Sequence, residues 1–185
     1  MQHLLIKLIL VNIYCSFSCC KLSAQEAEKP LDNYTIKRLI VYNDKDQIAM
    51  VNYREVWDIP PLRYNTSETY NESLVSLAKA MGIEISKPKL AGIFSFKYGY
   101  TNRAALRMFY TARLKKGTLK PKDGWNKVRW MPKNEVLALK DQDVYSYIGT
   151  KVIEDTTTLW GGAFYLYKEK DQVKYKITEE FYPLR

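Results

Sequence analysis

The sequence predicts a layered α/β domain: a mixed β-sheet flanked by helices, with a helix and a β-hairpin at the C-terminal end. Three observations carry that prediction. Several segments alternate apolar and polar residues with the period of a half-buried strand. Two stretches among them, Thr69–Met81 and Asp141–Glu154, have helical spacing instead. No repeat or linker divides the 185 residues, a length that suits one domain. With 15 tyrosines and 4 tryptophans the chain has the apolar material for a real core.

The elements follow in order. Tyr34–Tyr42 and Gln47–Arg54 are strand-like and are joined by Asn43-Asp44-Lys45-Asp46, which has turn chemistry. Pro60-Pro61 is expected to interrupt regular structure. Thr69 is the expected N-cap of the clearest helix. Glu72 stands three residues on, as a capping box requires. Leu74, Leu77, Ala78 and Met81 form its buried stripe, and Gly82 closes it.

Lys89–Lys97 and Ala104–Leu114 read as two further strands. The second puts Leu106, Met108, Tyr110, Ala112 and Leu114 on one face, and Arg107, Phe109, Thr111 and Arg113 on the other. Lys115-Lys116-Gly117 reads as a turn, Lys127–Met131 as a short strand, and Pro132 as the start of a helix reaching Leu139. Val144, Tyr147, Ile148 and Val152 give the last helix its apolar side. Trp160-Gly161-Gly162 reads as a tight bend with the tryptophan packed on the body. Ala163–Tyr167 and Val173–Ile177 form a hairpin across Glu169-Lys170-Asp171-Gln172.

The first residues follow a different plan. A short apolar stretch from Leu4 to Ile13 leads to small residues ending at Ala24, the arrangement of a secretory signal peptide cut after Ala24. The stretch is too short to span a bilayer, so no transmembrane segment is expected. The expected product is secreted or periplasmic, with a lipid anchor on Cys19 or Cys20 as the alternative. All three cysteines and His3, the sole histidine, lie before the cut. The mature chain would therefore lack disulfides, thiol nucleophiles, Ser-His-Asp triads and His/Cys zinc sites. Any metal would be a hard cation held by oxygen. Removing Lys7 and Lys21 with this segment lowers the formal charge from +9 to +7. That surplus favours a polyanionic or phosphorylated small-molecule ligand, and export argues against nucleic acid.

Trp57-Asp58-Ile59-Pro60-Pro61-Leu62 resembles the Trp-x-Leu-Pro-Gly-Gly opening of a Nudix box. Glu68 stands six residues after Leu62, where the first Nudix glutamate stands. The helix Thr69–Met81 with Gly82-Ile83 occupies the place of the family's glutamate-bearing helix. Lys127–Pro132 with Glu135-Val136-Leu137 resembles a segment near the end of many Nudix domains. The resemblance implies a Nudix-like mixed sheet over a core of about 34–140 within a single domain of 25–185, leaving 141–185 as a C-terminal extension.

The same resemblance implies a lost activity. Nudix hydrolases use helix glutamates to hold magnesium against a pyrophosphate. Here the positions of the family's Arg-Glu and Glu-Glu pairs carry Val75, Ser76, Lys79 and Ala80, and the box glycines are Pro61 and Leu62. Lys79 would repel a cation. No metal ligand and no cofactor are expected, magnesium entering only if the chain is a divergent hydrolase with relocated carboxylates. Glu68 and Glu72 would then act with Asp141 or Asp143. Otherwise Glu72 is a helix cap and Glu68 a solvated charge.

Three arginines, Arg54, Arg63 and Arg107, suit a phosphate or carboxylate. Trp57, Tyr64, Tyr98 and Tyr100 lie near them in the sequence, with Tyr98-Gly99-Tyr100 expected on an exposed loop. Phe94, Phe96 and Phe109 add to the aromatic supply, with Phe94 and Phe96 expected in the core. The run from Arg113 to Lys127 reads as a solvated basic stretch. The favoured function is an exported binding module for a phosphorylated, nucleotide-like or sugar-like ligand. Its rivals are the divergent hydrolase and a cell-envelope protein-interaction domain using Tyr165, Tyr167 and Tyr175.

Overall fold

The computed structural model describes residues 32–53, 55–64, 67–101 and 103–184. The expected signal peptide, Cys19, Cys20 and Arg54 lie outside the described residues. Among the described residues, ten strands and three helices follow in the order β1 (Asp32–Tyr42), β2 (Ile48–Tyr53), β3 (Val56–Asp58), β4 (Pro61–Tyr64), α1 (Tyr70–Ala80), β5 (Ile83–Ile85), β6 (Lys89–Tyr98), β7 (Arg103–Gly117), β8 (Lys127–Met131), α2 (Lys133–Leu137), α3 (Val144–Glu154), β9 (Trp160–Glu169) and β10 (Gln172–Pro183).

The main sheet runs β10-β9-β6-β7-β1-β2-β3, with β4 added to β1, β5 to β7 and β8 to β2. Strand β1 is parallel to β7, and β6 to β9; the other pairs are antiparallel. Side chains alternate across these strands. Leu39 and Val41 of β1, with Met108 and Tyr110 of β7, pack on Leu74, Leu77, Ala78 and Met81 of α1. Ile40 and Phe109 point the other way, with Ile148 and Val152 of α3. The central strands are therefore buried on both faces, which is why their apolar runs are nearly continuous.

Three local expectations are corrected. Pro61 does not end regular structure: Pro61–Tyr64 pairs antiparallel with Thr35–Arg38, a place open to proline at the first residue of a strand. Lys115-Lys116-Gly117 is not a turn. Strand β5 pairs with it, Glu84 opposite Lys116, and an ion pair of 3.2 Å joins the two. Trp160-Gly161-Gly162 opens β9 instead of bending. A Cβ on Gly161 would lie 2.8 Å from the Tyr182 ring, so the glycine admits the neighbouring strand's aromatic side chain. The tryptophan does pack on the body, its Nε1 donating to the Asp155 carbonyl at 3.1 Å. No helix among the described residues is long and apolar enough to cross a membrane.

Candidate functional site

Helix α1 starts as its sequence requires. The Thr69 side chain accepts from the Glu72 amide, and Glu72 Oε2 accepts from the Thr69 amide at 2.8 Å. The Thr69 amide and hydroxyl, both donating to this carboxylate, hold it below its ordinary range. The buried stripe leaves Val75, Ser76, Lys79 and Ala80 on the exposed face. Beside that face lies an open groove of about 730 Å³, lined among others by Glu68, Glu72, Ser76, Lys87 and Lys115. Glu68 Oε1 accepts from the Ser76 hydroxyl at 2.7 Å. A divalent cation needs several converging oxygens. The two carboxylates of this groove are each engaged by a hydroxyl, and Lys87 and Lys115 share the space. Among the described residues no group of three or more His, Cys, Asp or Glu side chains is placed to hold a metal ion. Val75, Ser76, Lys79 and Ala80 bring no carboxylate to the exposed face of α1.

The buried side of α1 carries a cation of its own. Lys37 of β1 is fully buried, and its Nζ donates to Ser73 Oγ. The ammonium lies 4.1 Å from the Tyr64 ring centroid and 5.0 Å from that of Tyr70. Strand β4 supplies Tyr64 because it pairs with β1, Tyr64 opposite Thr35. The Tyr64 hydroxyl donates to the Glu68 carbonyl at 2.8 Å, tying the loop before α1 to the same cluster. Burial pulls the Lys37 pKa down from 10.5 to about 8, against the attraction of Glu68.

The opposite face of the sheet holds a second cluster. Arg38 follows Lys37 and therefore points toward α3. It is buried, ion-paired with Asp58, and donates to the Ile59 carbonyl at 3.0 Å. Burial opposes its charge most strongly, but the Asp58 carboxylate, with Tyr145 and Asp143, more than offsets it and raises the pKa. Tyr145 of α3 lies between this guanidinium, 4.7 Å from its ring centroid, and that of Arg107 at 5.1 Å. Arg107 also donates to the Tyr98 hydroxyl and faces the Phe96 ring at 5.3 Å. Phe96 and Tyr145 stack at 5.6 Å and 11°. Above this aromatic floor opens a cleft of about 460 Å³, walled by Tyr100, Tyr145, Tyr167 and Tyr175, with Asp141, Gln142 and Asp143 at its polar rim. Asp143 caps α3, accepting from the Ser146 amide at 2.7 Å.

The structure thus divides the expected ligand residues. Tyr100 is exposed and lines the cleft. Tyr98 was expected on an exposed loop, but it is the last residue of β6 and is buried, because its ring belongs to the core facing α3 and its hydroxyl is engaged by Arg107. Arg107 is itself buried under Tyr145. Trp57 is half-buried on the same side, with the Arg129 guanidinium 4.9 Å from its ring, and its carbonyl accepts from Gln142. Tyr64 packs on Lys37, and Arg63 is exposed on β4. Phe94 and Phe96 are core residues as expected, and Phe109 joins them. Of the carboxylates named for a rebuilt site, Glu68 and Glu72 line the groove at α1, and Asp141 and Asp143 line the cleft at α3. Tyr165 and Tyr167 stack at 6.2 Å on β9, with Tyr175 exposed on β10.

Sequence reasoning missed Lys37, Arg38 and Tyr145. The signal for the first two was present: adjacent cations inside the apolar run Ile36–Val41 of a central strand must be buried, one on each face.

No family model matches the chain, and no curated protein does. Solved structures do match. A mutator MutT protein from Bacillus halodurans is similar with a TM-score of 0.63 at 22% identity, over 78% of this chain and 97% of that one. A Nudix hydrolase from Nitrosomonas europaea is similar with a TM-score of 0.56 at 14% identity, over 68% and 88%. An ADP-ribose pyrophosphatase from Streptococcus suis is similar with a TM-score of 0.50 at 11% identity, over 67% and 91%. The fold is Nudix-like: a curled mixed sheet with helices on both faces.

Proposed function

We propose that this chain is an exported, non-catalytic binding domain on a Nudix-like fold, taking a phosphorylated, nucleotide-like or sugar-like ligand without cleaving it. The observation that carries the proposal is the exposed face of α1. Counted back from Gly82, Val75 and Ser76 fall at the Arg-Glu pair of the Nudix helix and Lys79 and Ala80 at its Glu-Glu pair, and nearby Glu68 is engaged by Ser76. On this reading the four positions offer no carboxylate to hold a divalent cation against a pyrophosphate or to activate a water molecule through it.

The cleft at α3 supports the binding half of the proposal. It offers tyrosine faces for a ring, with Asp141 and Gln142 as hydrogen-bonding partners. Arg107 and Phe96 fix the Tyr145 floor from beneath. The signal-peptide plan of residues 1–24 supports export.

A thermal-shift panel of nucleotides, nucleotide sugars and phosphosugars tests the proposal, run with and without magnesium alongside an assay of released products. A ligand that raises the melting temperature without turnover supports it, because a ligand selective for the native state must stabilise that state. Magnesium-dependent product release contradicts it.

A further inference from the structure

A basic cavity of about 550 Å³ lies at the end of the sheet where β1 finishes. Strand register builds its floor. Tyr42, the last residue of β1, is opposite Arg113 of β7, and Lys89, the first of β6, is opposite Thr111. The connector from β5 to β6 adds Ser86 and Lys87. It is tied to β7 by the Ser86 amide on the Arg113 carbonyl at 2.8 Å and the Arg113 amide on Ser86 Oγ at 2.9 Å. Lys133, at the start of α2, completes the wall.

The charge of this lining is one-sided. Lys87, Lys89, Arg113 and Lys133 face one carboxylate among the lining residues, Asp46, and Arg113 already holds it at 2.6 Å. The second, independent observation is Tyr42. Its residue is buried, and its hydroxyl is a buried group with no hydrogen-bond partner among the described residues. A buried hydroxyl left this way is costly, so such groups call for a partner. Burial, opposed by Arg113, pushes its pKa up to about 12, so it remains a donor at neutral pH.

We propose that this cavity binds a compact, multiply charged phosphate or sulfate group, as a second ligand site separate from the aromatic cleft at α3. Lysine ammoniums supply point charges that adapt to an oxyanion. Ser86 and Thr111 add hydroxyls to the lining, and Tyr42 lies in the cavity wall. The groove at α1 shares only Ser86 and Lys87 with this cavity, so Tyr42, Lys89 and Lys133 belong to it alone. The assignment holds whether or not the cleft at α3 binds a ring.

The test is a calorimetric titration of the full chain with inorganic pyrophosphate at low ionic strength, repeated with sulfate at matched ionic strength. The expected result is saturable binding that weakens with added salt. The double variant Lys89→Gln, Lys133→Gln should lose roughly tenfold in affinity. Tyr42→Phe keeps the ring in the core and should lose severalfold. Amide resonances of Thr111, Arg113 and Thr156 should shift on titration. Tighter binding of pyrophosphate than sulfate supports a phosphate ligand, and equal binding supports a general oxyanion site. Absence of saturable binding by either anion overturns the proposal, as does unchanged affinity in both variants.

Discussion

The Lys37 ammonium donates to the Ser73 hydroxyl, joining the central strand β1 to the first turns of α1. Tyr64 and Tyr70 flank it, so the charge sits in an aromatic slot instead of water. The slot lies on the buried side of the helix whose exposed side carries Val75, Ser76, Lys79 and Ala80.

Burial lowers the Lys37 pKa from 10.5 to about 8, which fixes the sign of a pH effect. Between those values the unfolded chain holds the proton more tightly than the native state, so this group makes stability rise with pH. Urea midpoints measured from pH 8 to pH 10 should increase more in the wild type than in Lys37→Met. Burial of Tyr42 and Tyr110, whose pKa values are pushed up to about 12, acts in the opposite direction above pH 10. The comparison therefore ends there. Equal slopes in the two proteins would show that Lys37 is not desolvated.

Removing one partner of a buried ion pair strands the other. Asp58→Asn leaves the Arg38 guanidinium buried with its charge uncompensated. The expected loss is about 3 kcal/mol in equilibrium denaturation. The double variant Arg38→Met, Asp58→Leu should recover most of it. A loss below about 0.5 kcal/mol in the single variant, the range of a surface substitution, would contradict the buried pairing.

Most of the fold was legible because its cues are local. The capping box Thr69–Glu72, the stripe Leu74–Met81 and the alternation along β7 each sit within one segment, and each forms as its pattern requires. Strands β4 and β5 were not legible, since both exist through partners distant in sequence: Pro61–Tyr64 through β1, and Ile83–Ile85 through the end of β7. The site divides the same way. The residues on the exposed face of α1, Val75, Ser76, Lys79 and Ala80, could be placed by counting back from Gly82. The Tyr145 floor could not, because it unites residues from β1, β6, β7 and α3. Tyr98 was misplaced for a related reason: Gly99 marks the turn, but whether its neighbour faces core or solvent depends on Arg107 across the ladder.

The capping box predicts its own magnitude. Thr69→Ala removes the side-chain acceptor at the start of α1 and should cost about 1 kcal/mol. Urea denaturation measures it. A neutral substitution would mean that the helix start is held by tertiary packing alone.

Export makes a prediction about the chain's beginning. N-terminal sequencing of the protein secreted from its host should start at Gln25. A start at Cys19 or Cys20 with an attached lipid would instead identify a surface anchor, and retention of Met1 in the cell would contradict export.

The most direct measurement concerns the exposed face of α1. Manganese, a paramagnetic substitute for magnesium, is titrated into the wild type and into Glu68→Gln while proton relaxation is followed. The account predicts no saturable site at millimolar metal and no difference between the two proteins. A tight site in the wild type that Glu68→Gln abolishes, accompanied by metal-dependent hydrolysis of a nucleoside diphosphate, would contradict it.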